Sequence, residues 1–310
     1  MKTRKKLLLV APEAEDDAGA DLQNAVVITV SELDNSPYEG DRVTRDRLRE
    51  YFGAVPEANA APYATVTATV PIAGSGTVGT PPAYGLLLRA CSMSESIEEG
   101  VSVTYQPATN NAESVCLWFV EDGQLQKVPG ARGTVEWSFT VKQYPTMSFT
   151  FTGLYKRPEA LTNPINKQPT NTIAELIVNN QNTPDRSVHG FKAVLQSLSL
   201  NVGNTVEFVS KLGKEQSEVT NREGAGSVEI EAPDITTKNY FEAIESHEVI
   251  TLEPVTLVHG TNPGNIVTVA APKVQLSTIS RSDSSGTVHY TMDMRLNPDQ
   301  GDDEFTIKYT

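Results

Sequence analysis

Residues 130–155 read GARGTVEWSFTVKQYPTMSFTFTGLY, two runs of alternating side chains around a break at Lys142–Pro145. In the second run Met147, Phe149, Phe151 and Gly153 share one face, and Ser148, Thr150 and Thr152 share the other. Successive side chains of a strand point to opposite sides, so the pattern predicts a strand with one buried face and one face that is wet or packed on polar groups. The same signal, β-branched and aromatic residues bounded by Gly, Pro, Asn and Asp, recurs upstream at 64–72, 101–105, 115–120 and 133–142. Downstream it returns at 194–202, 205–209, 227–231, 249–258, 266–270, 273–279, 287–296 and 304–309. A Pro/Asn-rich stretch from Pro158 to Pro184 separates the two groups.

The expected fold class is mainly β, with two tandem antiparallel β-sandwich domains, each with a short flanking helix. The expected boundaries are an N-terminal arm and first edge element over 1–60, a first β-domain over 61–160, a linker over 161–190 and a second β-domain over 191–310. The clearest helical signal is 236–246, where Thr236 or Thr237 can cap and Tyr240, Phe241 and Ile244 form an apolar stripe. Segment 40–53 (GDRVTRDRLREYFG) fits a helix surface or an edge strand equally well. A repeat is suggested by GTVE at 133–136 and GSVE at 226–229, and by SMS at 92–94 and SLS at 197–199, each in the same order.

Of the 310 residues, 38% are hydrophobic and 21% charged, enough apolar material for packed cores and too little charge for a disordered chain. The net charge of −14 excludes a partner gripped through its phosphates, because such affinity comes from Lys and Arg displacing counterions. An acidic wall does suit a conduit through which DNA must pass without sticking. The opening MKTRKKLLLV imitates a signal peptide, but its apolar run is far too short, and no stretch approaches the roughly 20 apolar residues of a membrane span. The two cysteines, Cys91 and Cys116, sit in apolar settings and read as buried free thiols in a reducing cytoplasm.

No chemistry-bearing constellation stands out. His189, His247, His259 and His289 are scattered, without metal-site spacing. The acidic clusters Glu13–Asp21 and Asp299–Glu304 lack a calcium-loop pattern, and the second reads as a solvated turn. AGSGTVG at 73–79 has neither dinucleotide-loop nor phosphate-loop spacing; within the long 73–85 loop it reads as a flexible finger reaching another subunit. The expectation is thus no enzyme, with no catalytic, cofactor-binding or metal-ligating residues. Runs 133–142 and 147–155, long and sparsely charged, are expected to be open edges through which copies associate.

The Gly130–Tyr155 stretch resembles the tail tube (major tail) proteins of long-tailed bacteriophages, particularly those with flexible, non-contractile tails. MKTRKKLLLVAPE, EGDRVTRDRLREYFG, AGSGTVGTPPAYGLLLRAC and AVLQSLSLNVGN follow the order of that family. The resemblance implies that both sandwich domains are tail-tube-like and that rings of this chain stack into a virion tail, assembled in the host bacterial cytoplasm. It also implies other tail proteins at the tube ends, an acidic lumen that passes DNA without specific binding, and no membrane partner. Two such domains per chain favour a trimeric ring, a pseudo-hexamer, over a hexamer; the second half could instead be an immunoglobulin-like outer decoration. The N-terminal arm, with Leu7–Val10, is expected to reach a neighbouring ring. The competing readings are a carbohydrate- or receptor-binding β-sandwich module and, further off, an enzyme on a β scaffold such as a glycoside hydrolase. Trp118 and Trp137 lie in strand-like segments and should be buried rather than displayed.

Overall fold

A computed structural model describes residues 2–14, 20–110, 112–161, 165–170, 173–245 and 250–310. The first half forms β1 (Lys6–Pro12), β2 (Val26–Ile28), β3 (Glu32–Glu39), β4 (Arg42–Thr44), β5 (Glu57–Asn59), β6 (Tyr63–Pro71), helix α1 (Gly85–Ala90), β7 (Met93–Glu98), β8 (Ser102–Pro107), β9 (Val115–Glu121), β10 (Gln124–Thr140), β11 (Thr146–Leu154) and β12 (Glu159–Ala160). The second half forms β13 (Asp185–Val188), β14 (Leu195–Asn201), β15 (Asn204–Lys211), β16 (Lys214–Arg222), β17 (Ala225–Glu231), helix α2 (Tyr240–Ile244), β18 (Glu253–His259), β19 (Val267–Leu276), β20 (Ser280–Ser284), β21 (Thr287–Leu296) and β22 (Thr306–Tyr309). The fold is mainly β, as expected, and among the described residues all pairings are antiparallel and each half holds one short helix.

One long sheet organises the molecule. Its order is β3-β6-β11-β10-β14-β17-β21-β20. The first four strands come from the first half of the chain and the last four from the second, joined where β10 pairs with β14 through Trp137↔Leu200 and Phe139↔Leu198. Each half is built alike: a strand, an excursion hairpin, the neighbouring strand, a helix, then two strands that complete its part of the sheet. The hairpins are β4–β5 between β3 and β6, and β15–β16 between β14 and β17. The matched tetrapeptides do not mark this correspondence: GTVE lies in β10 and GSVE in β17, strands at different places in their halves.

The second layer has two parts. One is β2-β1-β9 with the first turns of β10; β10 bends into it at a register shift between Val128 and Ala131. The other is β13-β18-β19-β22-β8-β7, in which β22 of the second half pairs with β8 of the first. Among the described residues no circuit of pairings closes, so the sheets are open. The main core runs between the layers, from Leu8 and Phe119 through Trp137, Phe149 and Phe151 to Leu257, Val269, Met292 and Phe305, and a smaller cluster with Leu9, Val27, Cys116 and Trp118 covers the other face of β1 and β9. The predicted alternation in β11 holds: Met147, Phe149 and Phe151 are buried, while Ser148, Thr150 and Thr152 face away.

Several expectations change. Strands β10 and β11 are interior, each paired on both sides, because their apolar faces supply the centre of the core; the edges of the long sheet are β3 and, beyond β21, β20 together with the end of β19, whose Val274–Leu276 pair with Met294–Leu296. Leu8, Leu9 and Val10 are fully buried in β1 between β2 and β9, so Leu7–Val10 finds its partners within its own chain, not in a neighbouring ring. The 73–85 loop is no free finger. Gly76 N–H donates to Gly264 O at 3.1 Å, Gly74 N–H to Asn265 Oδ1 at 2.8 Å and the Tyr84 hydroxyl to Ala73 O at 2.6 Å, so its backbone groups are spent internally. Segment 40–53 is strand β4 and loop, and α2 is capped by Asn239, whose side chain accepts from Phe241 N–H at 3.1 Å, not by Thr236 or Thr237. Cys91, Cys116, Trp118 and Trp137 are buried as read from the sequence, and both cysteines are free.

Candidate functional site: the polar face of the long sheet

The face of the long sheet turned away from the core is the feature that strand register builds most extensively. Reading across it, one row runs Glu32, Thr69, Ser148, Glu136, Asn201, Ala225, Arg295. The next runs Thr146, Ser138, Ser199, Ser227, Asp293, and a third Thr140, Ser197, Glu229, Thr291, Ser280. Thr67, Thr150 and Thr134 continue the pattern with Asp34 at the β3 edge. Threonine suits a half-wet pleat, and facing hydroxyls in adjacent strands support one another. The result is a carpet of short hydroxyl side chains at strand spacing, roughly 4.8 Å apart.

Its charges are predominantly acidic: Glu32, Asp34, Glu39, Glu136, Glu229, Glu231 and Asp293 against Arg132 and Arg295. Arg132 is turned to the sheet end, where its guanidinium donates to Ala112 O at 3.2 Å and Ser217 O at 2.8 Å. Lys6 reaches Asp34 at 3.5 Å round the β3 edge. The β15–β16 hairpin crosses the sheet end beside Tyr63, stacking Phe208 on that ring at 5.3 Å, and encloses an open cleft of about 680 Å³ with Thr65 and Thr152.

The residues singled out by type have local duties. His259 sits between the Thr183 hydroxyl at 3.0 Å and Leu176 O at 3.1 Å, and burial pushes its pKa down. His189 is 2.9 Å from Val274 O and is likewise lowered by burial. His289 lies 3.3 Å from Glu229 on the polar face, and His247 falls outside the described residues. Glu13 accepts from Gly130 N–H at 2.8 Å, whereas Glu15–Asp17 of the same cluster lie outside the described residues. Asp299–Glu304 is more than a solvated turn. Asp303 accepts the backbone N–H groups of Asp299 at 2.8 Å and Gln300 at 3.1 Å, while Asp302 and Glu304 hold Arg222 at 2.7 and 2.8 Å, fastening β16 to the C-terminal segment. Among the described residues no group of three or more His, Cys, Asp or Glu could hold a metal ion. No helix of the described residues is long and apolar enough to cross a membrane.

The face is thus broad, mildly acidic and rich in hydroxyls, and among the described residues it gathers no metal-binding cluster. The chain belongs to the phage tail tube protein family, whose profile matches residues 7–295. A search of curated proteins returned no match. The protein is therefore a component of the phage virion tail, a subunit of a tube made from many copies of itself with other tail proteins, and its family is not an enzyme family.

Proposed function

We propose that three copies of this chain form a ring, that rings stack into the tube of a long non-contractile tail, and that the polar face of the long sheet lines an acidic lumen for genome delivery. In this reading the halves, 61–160 with the strands before it and 191–310 beyond the 161–190 linker, are tandem tail-tube-like units, giving a pseudo-hexamer. Assembly takes place in the host bacterial cytoplasm, other tail proteins join at the tube ends, and no catalytic, cofactor or metal site takes part.

The observation that carries the proposal is the four-plus-four order of the long sheet. The order β3-β6-β11-β10 is repeated in β14-β17-β21-β20, and the two run side by side with their polar residues on one face. A ring extends the β10–β14 junction by pairing β20 of one copy with β3 of the next, a head-to-tail contact that closes by rotation and leaves no edge. Three chains then supply about 24 strands, whose spacing gives a circumference of about 115 Å and a backbone diameter of roughly 37 Å, wide enough for a DNA duplex. With Arg132 turned to the sheet end and Arg295 outnumbered by carboxylates, the face gives the phosphates few cations to exchange for their counterions, so the DNA stays mobile. Glu32, Asp34 and Pro37 on β3 discourage pairing between free subunits, consistent with growth from an initiating complex.

The test is negative-stain electron microscopy of the concentrated protein with its solution mass. Stacked rings with three chains each support the reading, and six chains per ring remove the pseudo-hexamer. A permanent monomer that binds glycans replaces it with a binding module.

A further inference from the structure

The strand registers fix which backbone groups stand free on β3 and β20. In an antiparallel sheet the N–H and C=O of one residue point to one neighbouring strand, and those of the next residue to the other. Ile72 N–H donates to Pro145 O beyond the end of β6, so the even-numbered residues of β6 face β11, and Thr65, Thr67 and Thr69 face β3. Their partners Ser36, Asp34 and Glu32 spend their backbone groups on β6, which leaves Leu33 and Asn35 facing outward. Ala232 N–H likewise donates to Val288 O, so the even-numbered residues of β21 face β17, and Thr287, His289 and Thr291 face β20. The outward residues of β20 are then Arg281 and Asp283.

One antiparallel register between β20 of one copy and β3 of another matches both sets. It puts Arg281 opposite Asn35, Asp283 opposite Leu33, and Ser282 opposite Asp34 on the polar face. A slip of one residue sets outward groups against inward ones and turns the faces over, and a slip of two leaves a single hydrogen-bonded pair.

In the single chain part of that edge is already taken. Lys6 comes from β1 in the second layer, and its ammonium donates to Leu33 O at 2.8 Å, lies 3.5 Å from Asp34 Oδ1 and stands 5.6 Å from the centre of the Phe119 ring. A strand laid along β3 must claim Leu33 O, which strips the ammonium of its carbonyl and covers a charge without a partner. Asp283 changes that balance. It is exposed in the single chain, and opposite Leu33 its side chain falls on the side of the sheet from which Lys6 comes.

We infer that Lys6 is a gate on the β3 edge: it occupies Leu33 O in the free subunit and passes to Asp283 of a second copy when β20 of that copy pairs in the matching register. Its flexible four-carbon stem lets the ammonium swing across while β1, with Leu8 and Leu9 fully buried, stays in place. The gate rests on the ring reading and adds to it what restrains closure and which register closure accepts.

The test follows the solution mass of the full chain against concentration for wild type, Lys6→Met, Asp283→Asn and the double variant. Lys6→Met should associate at a concentration at least about tenfold below wild type, and Asp283→Asn should need at least about tenfold more protein. In the Lys6→Met background, Asp283→Asn should change association by less than about twofold, because the carboxylate acts through the ammonium. Register is read separately: mild oxidation of Asp34→Cys/Ser282→Cys, whose native cysteines are buried, should give covalent multimers faster than Asp34→Cys/Ser284→Cys. Lys6→Met that associates no more readily than wild type, or an Asp283→Asn effect of equal size in both backgrounds, overturns the gate and leaves the ring reading standing where the cysteines crosslink. Associated Asp34→Cys/Ser282→Cys chains that give no covalent multimers refute the β20–β3 contact, and the ring reading and the gate fall together.

Discussion

Replacing Arg222 with Met tests whether the β15–β16 hairpin is held by its ionic fastening. The guanidinium donates to Asp302 Oδ1 at 2.7 Å and to Glu304 Oε1 at 2.8 and 3.1 Å, and Glu304 is only 8% exposed. Methionine fills the space but leaves the Glu304 carboxylate buried without its cation, a change that costs about 3–5 kcal/mol. The lower end applies, because Asp302 is partly hydrated and keeps the Thr109 hydroxyl at 2.6 Å. With about 2 °C per kcal/mol for a chain of this size, the midpoint by calorimetry falls about 6 °C. The sign of the coupling is the sharper readout: Arg222→Met/Glu304→Gln removes the orphaned charge and should regain at least half of that loss. Acid gives a second check. Partial burial opposes the Asp302 charge, but hydrogen bonds from Thr109 and Arg222 prevail and hold its carboxyl below the ordinary range. A carboxyl depressed in the folded state contributes stability above its unfolded pKa of about 3.9 and loses it as pH falls through the folded value. The gap between wild type and Arg222→Met should therefore narrow below about pH 4. A midpoint shift under about 1 °C, or strictly additive effects in the double variant, refutes the fastening.

Trp137, with no exposed surface and Phe305 edge-on at 5.5 Å, should cost about 3–5 kcal/mol as Trp137→Ala, measured by urea unfolding. Gly133→Ala should cost about 1–3 kcal/mol in the same assay, because the added carbon would lie 2.5 Å from both Thr150 O and the Phe151 ring. Ser138→Lys, Ser199→Lys and Ser227→Lys together place like charges side by side in one row and should lower stability, most at low salt, while slowing genome release and making its rate rise with salt; unchanged release kinetics would remove the polar face from the lumen. Cys91 and Cys116 should resist a thiol reagent until the chain unfolds, even in mild alkali, since both are fully buried and burial pushes the Cys91 thiol well up.

Strand content and the inside or outside assignment along each strand were legible because alternation is local: Met147, Phe149 and Phe151 declare their face without reference to any neighbour. What a strand pairs with is not local. Runs 133–142 and 147–155 look like edges because they carry few charges, but a sparsely charged strand is also what the centre of a wide sheet requires, and β10 takes β11 and β14 on its two sides. Leu7–Val10 reads as part of an arm because basic residues precede it, acidic residues follow it and the first 40 residues show little strand pattern, yet four apolar residues in a row are the mark of a strand covered on both faces, as Leu8 and Leu9 are by two separate clusters. The polar face was visible in fragments, as Ser148–Thr150–Thr152. Its continuity across both halves depends on the β10–β14 junction, which no short pattern encodes. Arg222 with Asp302 and Glu304, about 80 residues apart in the chain, is hidden for the same reason.

The long sheet presents three kinds of surface, and under the proposed assembly each has a separate task. Its face carries hydroxyls and carboxylates, which repel phosphate and stick to little. Its edges, β3 and β20, carry unpaired backbone groups, which are strong but unselective, so the charges and Pro37 on β3 must restrain them until a neighbour is already in place. Its ends carry exposed apolar side chains, Leu48, Phe52 and Leu212 at one and Val194 and Val288 at the other. Because the three lie along perpendicular axes of one rigid sandwich, a substitution on one leaves the geometry of the others intact. A tube that must be inert inside, closed around its circumference and unlimited along its axis needs that independence. A two-layer sheet with one shared core supplies it without a reactive site anywhere in the proposed machinery.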